Sequence, residues 1–175
     1  MTKPGAIIWF TGLSGSGKTT IAEALAKKLQ AKGVAFEHLD GDVLRSTITS
    51  HLGFSTEDRK RNITIAGYIA NLLASHGVIV IATFISPIRS QREELKTKYT
   101  NFIEVFVNAP LEVCEKRDVK GLYKKARGGE VAQFTGIDNG YEPPLHPDLE
   151  LDTNKESVEQ CVSKVVDLLG QRRLM

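Results

Sequence analysis

Lys18 and Thr19 close the stretch GLSGSGKT (Gly12–Thr19), and two carboxylates, Asp40 and Asp42, flank Gly41 in LDGDVLR. Both groupings suit phosphoryl chemistry. The spacing G-x-x-x-x-G-K-[ST] lets backbone N–H groups converge on phosphate oxygens, and the N-terminus of the following helix adds partial positive charge. Lys18 would reach the β- and γ-phosphates of a nucleotide, and the Thr19 hydroxyl would bind Mg²⁺. Two carboxylates separated by one residue repel each other unless a cation relieves them. Mg²⁺ carried in with ATP is that counter-charge, with Arg45 assisting. Of Asp40 and Asp42, one could then hold the metal, directly or through water, and the other could orient or deprotonate an acceptor hydroxyl. The same spacing ahead of a short helix also suits an Asx turn or a helix cap, so that use stays open.

Further groups could serve an acceptor. Arg59 and Asn62 stand three apart, on one face of a helix, where they could hold an anion; Arg59 also belongs to the charged run EDRKR, which suits a solvated helix start. Phe54 in LGFS and Phe134 in QFTG fall outside any apolar stripe and could clamp a flat base, although single aromatics are more often core. From Asp118 to Pro144 the chain loses periodicity and gathers Lys120, Lys124, Lys125 and Arg127 beside glycines. A basic cover of this kind can close over phosphates and exclude water; otherwise it is a solvated loop. Within it, Asn139-Gly140 predicts a tight turn with positive φ.

The elements that must carry these groups alternate. AIIWF (Ala6–Phe10) reads as a strand buried on both faces and is followed by a helix with Ile21, Leu25 and Leu29 on one side, stopped near Gly33. VAFEHL is a second strand ending at the aspartates. A long helix follows from Ser55 to Gly77, opened by an approximate capping box of Ser55 with Asp58. VIVIATF and FIEVFVNA are the third and fourth strands. A short strand near Leu151 and a closing helix, with Val158, Cys161, Val162, Val165, Val166 and Leu169 inward, complete the chain. This alternation predicts an α/β domain built on a mostly parallel five-stranded sheet with helices on both faces. Ligands of such sheets gather at the carboxyl ends of the strands, which is where the phosphate loop and the aspartates fall. A single domain over 1–175, with a lid at about 118–144, is expected.

Composition narrows the partners. The 175 residues carry a formal net charge of only +2, so no global field favours nucleic acid or a membrane surface. Cys114 and Cys161 are far apart and four histidines lack ligand spacing, which argues against a structural zinc. The N-terminal apolar run is too short for a secretory signal, and no stretch approaches a membrane span, so a cytoplasmic protein is expected.

Phosphate loops serve switches, motors and kinases. DVKG (Asp118–Gly121) falls after the fourth strand rather than at the end of the third, and NKES puts Ser157 where a guanine-reading carboxylate would be needed. VIVIATF ends without the usual metal-binding aspartate. A signalling GTPase is therefore disfavoured, and a small-molecule kinase fits better. A kinase for another acceptor, such as a nucleoside monophosphate or small alcohol, and a non-catalytic nucleotide-binding module are the rivals.

GLSGSGKTT, LDGDVLR, DRKRNI, VIVIATFISP, NAPLEVCEKRDVKGLYKKAR, FTGID and YEPP, in this order over nearly the whole chain, resemble the adenylyl-sulfate kinase family of phosphate-loop kinases. The resemblance implies the three-layer fold of P-loop NTPases. It also implies transfer of the γ-phosphate of ATP to the 3′-hydroxyl of adenosine 5′-phosphosulfate (APS), giving the 3′-phosphorylated product (PAPS) and ADP, in sulfate assimilation. Gly12, Gly15, Ser16, Gly17, Lys18, Thr19 and Thr20 would bind ATP. Asp42 would be the acceptor-side carboxylate. Arg45, Arg59 and Asn62 would hold the phosphosulfate and ribose of APS, Ile85, Ser86 and Lys120 would line its pocket, and Phe54 and Phe134 would sandwich its adenine. Ser86 has been assigned a phosphoserine role in relatives; in-line transfer needs no such intermediate and no neighbour in sequence activates it, so substrate binding is the expectation. The family further implies a homodimer and a functional association with an ATP sulfurylase.

Overall fold

The structure is a computed structural model and describes residues 4–175. Five strands, β1 (Ala6–Thr11), β2 (Phe36–Asp40), β3 (Ile79–Thr83), β4 (Phe102–Asn108) and β5 (Leu149–Asp152), form one sheet in the order β2-β3-β1-β4-β5. All four pairings are parallel. β1 and β3 are fully buried, as an unbroken apolar run requires when both faces are covered.

The alternation of side chains along β1 divides the interior. Ala6, Ile8 and Phe10 face α1 (Lys18–Ala31) and α7 (Val158–Gln171), packing with Leu25, Leu29, Val162, Val165 and Leu169. Ile7 and Trp9 face the opposite layer, α3 (Thr56–Ser75) and α4 (Arg89–Lys98), among Ile63, Ala66, Ala70, Leu95 and Tyr99. The closing helix buries the expected face, Cys161 included. A third, smaller cluster of Cys114, Tyr123, Ala126 and Phe134 lies beneath the chain that follows β4.

Three local readings change. The segment from Asp118 is not wholly irregular: after α5 (Leu111–Arg117) comes α6 (Leu122–Arg127), held by the Asp118 carboxylate, which accepts from the N–H groups of Tyr123 and Lys124. Asp58 completes only half a capping box: Ser55 Oγ accepts from its N–H, but its carboxylate turns to Gly53 N–H and the Ser55 hydroxyl. Asn139-Gly140 forms no positive-φ turn; the left-handed residues of that loop are Gln133 and Gly136. α4 escaped the periodicity argument because it buries Gln91 and Arg92 with Leu95, so its inner face is half polar.

Candidate active site

A cleft of about 1190 Å³ runs along the carboxyl edge of the sheet. Its floor is the phosphate loop between β1 and α1. Gly12 has φ 156°, and a Cβ there would lie 2.4 Å from Val107 O; at Gly15, φ 77°, it would lie 2.9 Å from Cys114 O. Only glycine fits between these backbones, so the loop is shaped by β4 and α5 as much as by its own sequence. Lys18 folds back, donating from Nζ to Gly12 O (2.9 Å) and Leu13 O (2.7 Å). Burial, and secondarily Lys120, lower its pKa to about 8. Thr19 and Thr20 are exposed at the cleft.

Both uses anticipated for the aspartates bear on Asp40. It caps α2 (Gly41–Ser46): Oδ1 accepts from Asp42 N–H (2.9 Å) and Val43 N–H (3.1 Å), and Oδ2 accepts from the Thr83 hydroxyl (2.9 Å). Burial opposes its ionisation, but these three bonds outweigh it and hold the carboxyl below its usual range. With the Thr83 proton committed to Asp40, His38 Nε2 must donate to Thr83 Oγ1 at 3.0 Å.

Asp42 reaches outward and pairs with Lys120, from the turn between α5 and α6. The cation beside the carboxylates in the protein alone is therefore Lys120 and not Arg45. Arg45 instead donates to Gly53 O (2.9 Å) and stacks on Phe54, its Cζ 4.6 Å from the ring centroid. Arg59 sits 5.8 Å from the same centroid and donates to Phe54 O, Thr135 Oγ1 and Gln133 O. Burial lowers the pKa of both arginines, and Arg45 adds to the effect on Arg59. Asn62 is buried, with Oδ1 accepting from the Thr49 hydroxyl at 2.7 Å.

The two aromatic candidates differ. Phe54 is half exposed, whereas Phe134 is buried edge-on against Tyr123, with centroids 5.0 Å apart. Phe134 is thus a core residue with one side on the cleft, not a free loop aromatic. Its loop is closed by the N–H groups of Asp138 and Asn139 donating to Phe134 O.

Ser86 is buried at φ 40°. Trp9 Nε1, which can only donate, gives to Ser86 Oγ (3.1 Å). Ser86 in turn donates to Thr11 Oγ1 (3.0 Å), and Thr11 donates to Ile85 O (2.8 Å). The Ser86 proton is committed along this chain, and no basic side chain takes it. Its hydroxyl builds the wall that Ile85 presents to the cleft.

Arg117 was given no role from the sequence, although it falls within the signature NAPLEVCEKRDVKGLYKKAR, because a cation closing a charged helix reads as solvated. Its guanidinium donates to Gly15 O (3.2 Å), Ser16 O (3.4 Å) and Thr153 O (2.8 Å), pinning the phosphate loop where it meets the chain after β5. Tyr123 adds a bond from its hydroxyl to Ser14 O (2.8 Å).

Known proteins resemble this chain in sequence and fold. The profile of the adenylylsulphate kinase family matches residues 4–152. Adenylyl-sulfate kinase of Microcystis aeruginosa is 57% identical over 171 residues, covering 98% of this chain and 94% of the relative. That of Halothermothrix orenii is 52% identical over 168 residues, covering 96% and 91%. The structure of the Mycobacterium tuberculosis APS kinase CysC, in complex with AMPPNP and APS, superposes with a TM-score of 0.92 at 43% identity, covering 96% of this chain and 99% of the other. A phosphate loop, an outward aspartate and a basic segment across one cleft, with identity of this extent, place the chain in the adenylylsulphate kinase family.

Proposed function

We propose that the cleft transfers the γ-phosphoryl group of ATP to the 3′-hydroxyl of APS, giving PAPS and ADP, a reading supported by relatives named adenylyl-sulfate kinase. The carrying observation is one cleft lined together by the phosphate loop, Asp42, Lys120, Phe54 and Phe134. In this reading Gly12, Gly15, Ser16, Gly17, Thr20 and Lys18 hold the ATP phosphates. Lys18 releases the Gly12 and Leu13 carbonyls to do so. Asp42 leaves Lys120 and accepts the hydrogen bond of the acceptor hydroxyl, orienting it and taking its proton as the bond to phosphorus forms. Lys120, Arg45, Arg59 and Asn62 take the acidic end and ribose of APS. Phe54 and Phe134 stack on its adenine against walls made by Ile85 and Ser86.

Mg²⁺ fits the residues present. The exposed Thr19 hydroxyl and the Asp40 carboxylate, held ionised, both line the cleft and are hard oxygen donors of the kind this ion takes. With three of its lone-pair sites taken, Asp40 suits contact through water rather than a chelating role. When bound with ATP, the metal neutralises charge on the β- and γ-phosphates. No described helix is long and apolar enough to cross a membrane; a cytoplasmic homodimer, associated functionally with an ATP sulfurylase, completes the reading. The chain folding as one domain with residues 118–144 as its lid belongs to it too.

The test is ADP release by the purified protein with Mg²⁺·ATP and, in parallel, APS, AMP or no acceptor. Release that depends on APS alone, with PAPS as product, is expected. Release with AMP instead would keep the fold and discard the acceptor.

A further inference from the structure

Arg92 lies outside every motif, yet it is fully buried and its guanidinium is used on three sides. Nε donates to Glu104 Oε1 (2.9 Å), Nη1 to Ser86 O (2.5 Å) and Nη2 to Glu142 O (2.6 Å). Its Cζ stands 5.5 Å from the Tyr141 ring centroid. Tyr141 then donates from its hydroxyl to Thr11 Oγ1 (2.8 Å), the residue directly before Gly12.

These contacts join three pieces of the cleft that are remote in sequence. One is the wall at Ile85–Pro87, where Ser86 keeps φ 40° because its hydroxyl is held by Trp9 and Thr11 and its carbonyl by Arg92. Another is the entry to the phosphate loop at Thr11. The third is the end of the basic segment: Tyr141 and Glu142 are tied to the same guanidinium, and Glu142 N–H donates to Pro87 O (2.9 Å). A planar fork with fixed donor directions suits this bridge as a lysine would not. The cost of burying the charge is met by Glu104.

We infer that Arg92 is a positioning residue for the acceptor: through Ser86 and Glu142 it sets the Ile85–Ser86 wall and the returning end of the covering segment relative to each other, without touching either substrate. This rests on the proposed reaction for its kinetic readout. Removing the fork leaves the phosphate loop's other anchors, Arg117 and Tyr123, in place, so the loss falls on APS rather than ATP.

The experiment pairs Arg92→Met with Glu104→Gln, which removes the fork without stranding a buried carboxylate. KM for APS is expected to rise about tenfold or more with KM for ATP changed less than about twofold, as loss of a supporting shell does elsewhere. Hydrogen exchange of a peptide spanning 131–145 is expected to accelerate while β1 stays protected. Unchanged KM for APS, or parallel changes in both KM values with uniform acceleration, overturns the inference. If the pair does not fold, Arg92→Lys, which keeps the charge and loses the fork, carries the same expectation. A wild-type protein that ignores APS refutes the proposed reaction instead, and hydrogen exchange alone then decides the role of Arg92.

Discussion

The Lys120 ammonium lies against the Asp42 carboxylate, so the turn between α5 and α6 is joined across the cleft to the start of α2. Side-chain exposures of 51% and 69% make this a weak contributor to stability. In the proposed reaction its effect is on occupancy, because an acceptor hydroxyl would reach Asp42 only when Lys120 turns toward an anion. Replacing Asp42 with Asn keeps the shape and removes the proton acceptor. kcat is expected to fall by about 10²-fold or more, with ATP affinity nearly unchanged, in line with loss of a general base. Near-normal kcat would refute the role.

Lys18 gives a pH dependence with a definite sign. Its folded pKa, about 8 against an ordinary 10.5, means the folded protein binds fewer protons than the unfolded chain between those values. From this group, stability is expected to rise with pH from about 8 to 10.5. Nucleotide affinity runs the other way, since phosphates need the ammonium: it should weaken above pH 8 by at most about tenfold per unit. Calorimetric titration of an ATP analogue at pH 7, 8 and 9, in buffers of different ionisation enthalpy, should show proton uptake on binding above pH 8. Equal affinity across the range would remove Lys18 from the phosphate site.

Ser86→Ala separates a wall from a nucleophile. The buried Trp9 donor loses its acceptor, at a cost of about 1–3 kcal/mol. The melting temperature is therefore expected to drop while turnover persists with a raised KM for APS. Rapid-quench mass spectrometry of the wild-type protein should find no turnover-competent phosphoserine. A stoichiometric one, formed and consumed at kcat, would contradict the hydrogen-bond chain.

Arg117→Ala should loosen the phosphate loop. We expect KM for ATP to rise about tenfold and KM for APS to stay within about twofold, as for a residue that orients a binding loop. A change confined to APS would mean that α5 supports the covering segment rather than the phosphate loop.

Phe134 has an observed duty in the core and a proposed one in the clamp, and one substitution would confuse them. Phe134→Ala empties part of the Tyr123 cluster and should cost about 3–5 kcal/mol of stability. Phe134→Leu keeps most of the volume; its loss of APS affinity, about 1–3 kcal/mol, reports the stacking alone. Unchanged APS affinity in the leucine variant would rule out the clamp.

The sheet, its helices and the phosphate loop were legible because each follows a local rule: an unbroken apolar run, a repeat near four, a glycine at a required left-handed turn. What stayed hidden was polar and long-range. Arg92 and Arg117 look like ordinary surface cations, and only the fold shows that one is sealed against Glu104 and the other turned into the phosphate loop. Arg45 was read as partner to the aspartates from its nearness in sequence, but the helix carries it toward Phe54 while Lys120 arrives from 78 residues away. Gly140 followed a dipeptide rule that the loop beside it overrode, with Gln133 and Gly136 making the bends.

The third strand ends in Thr83, without the acid that motif order along the chain leads one to seek there. Yet Asp40 is the register partner of Thr83 and accepts its hydroxyl proton. The carboxylate is present at that edge, displaced sideways by one strand, about 4.8 Å. Catalytic inventories are thus better taken across a sheet than along a chain. Two proteins can share a reaction centre while exchanging which strand supplies a given group, and an alignment column will then report a loss where space records only a transfer.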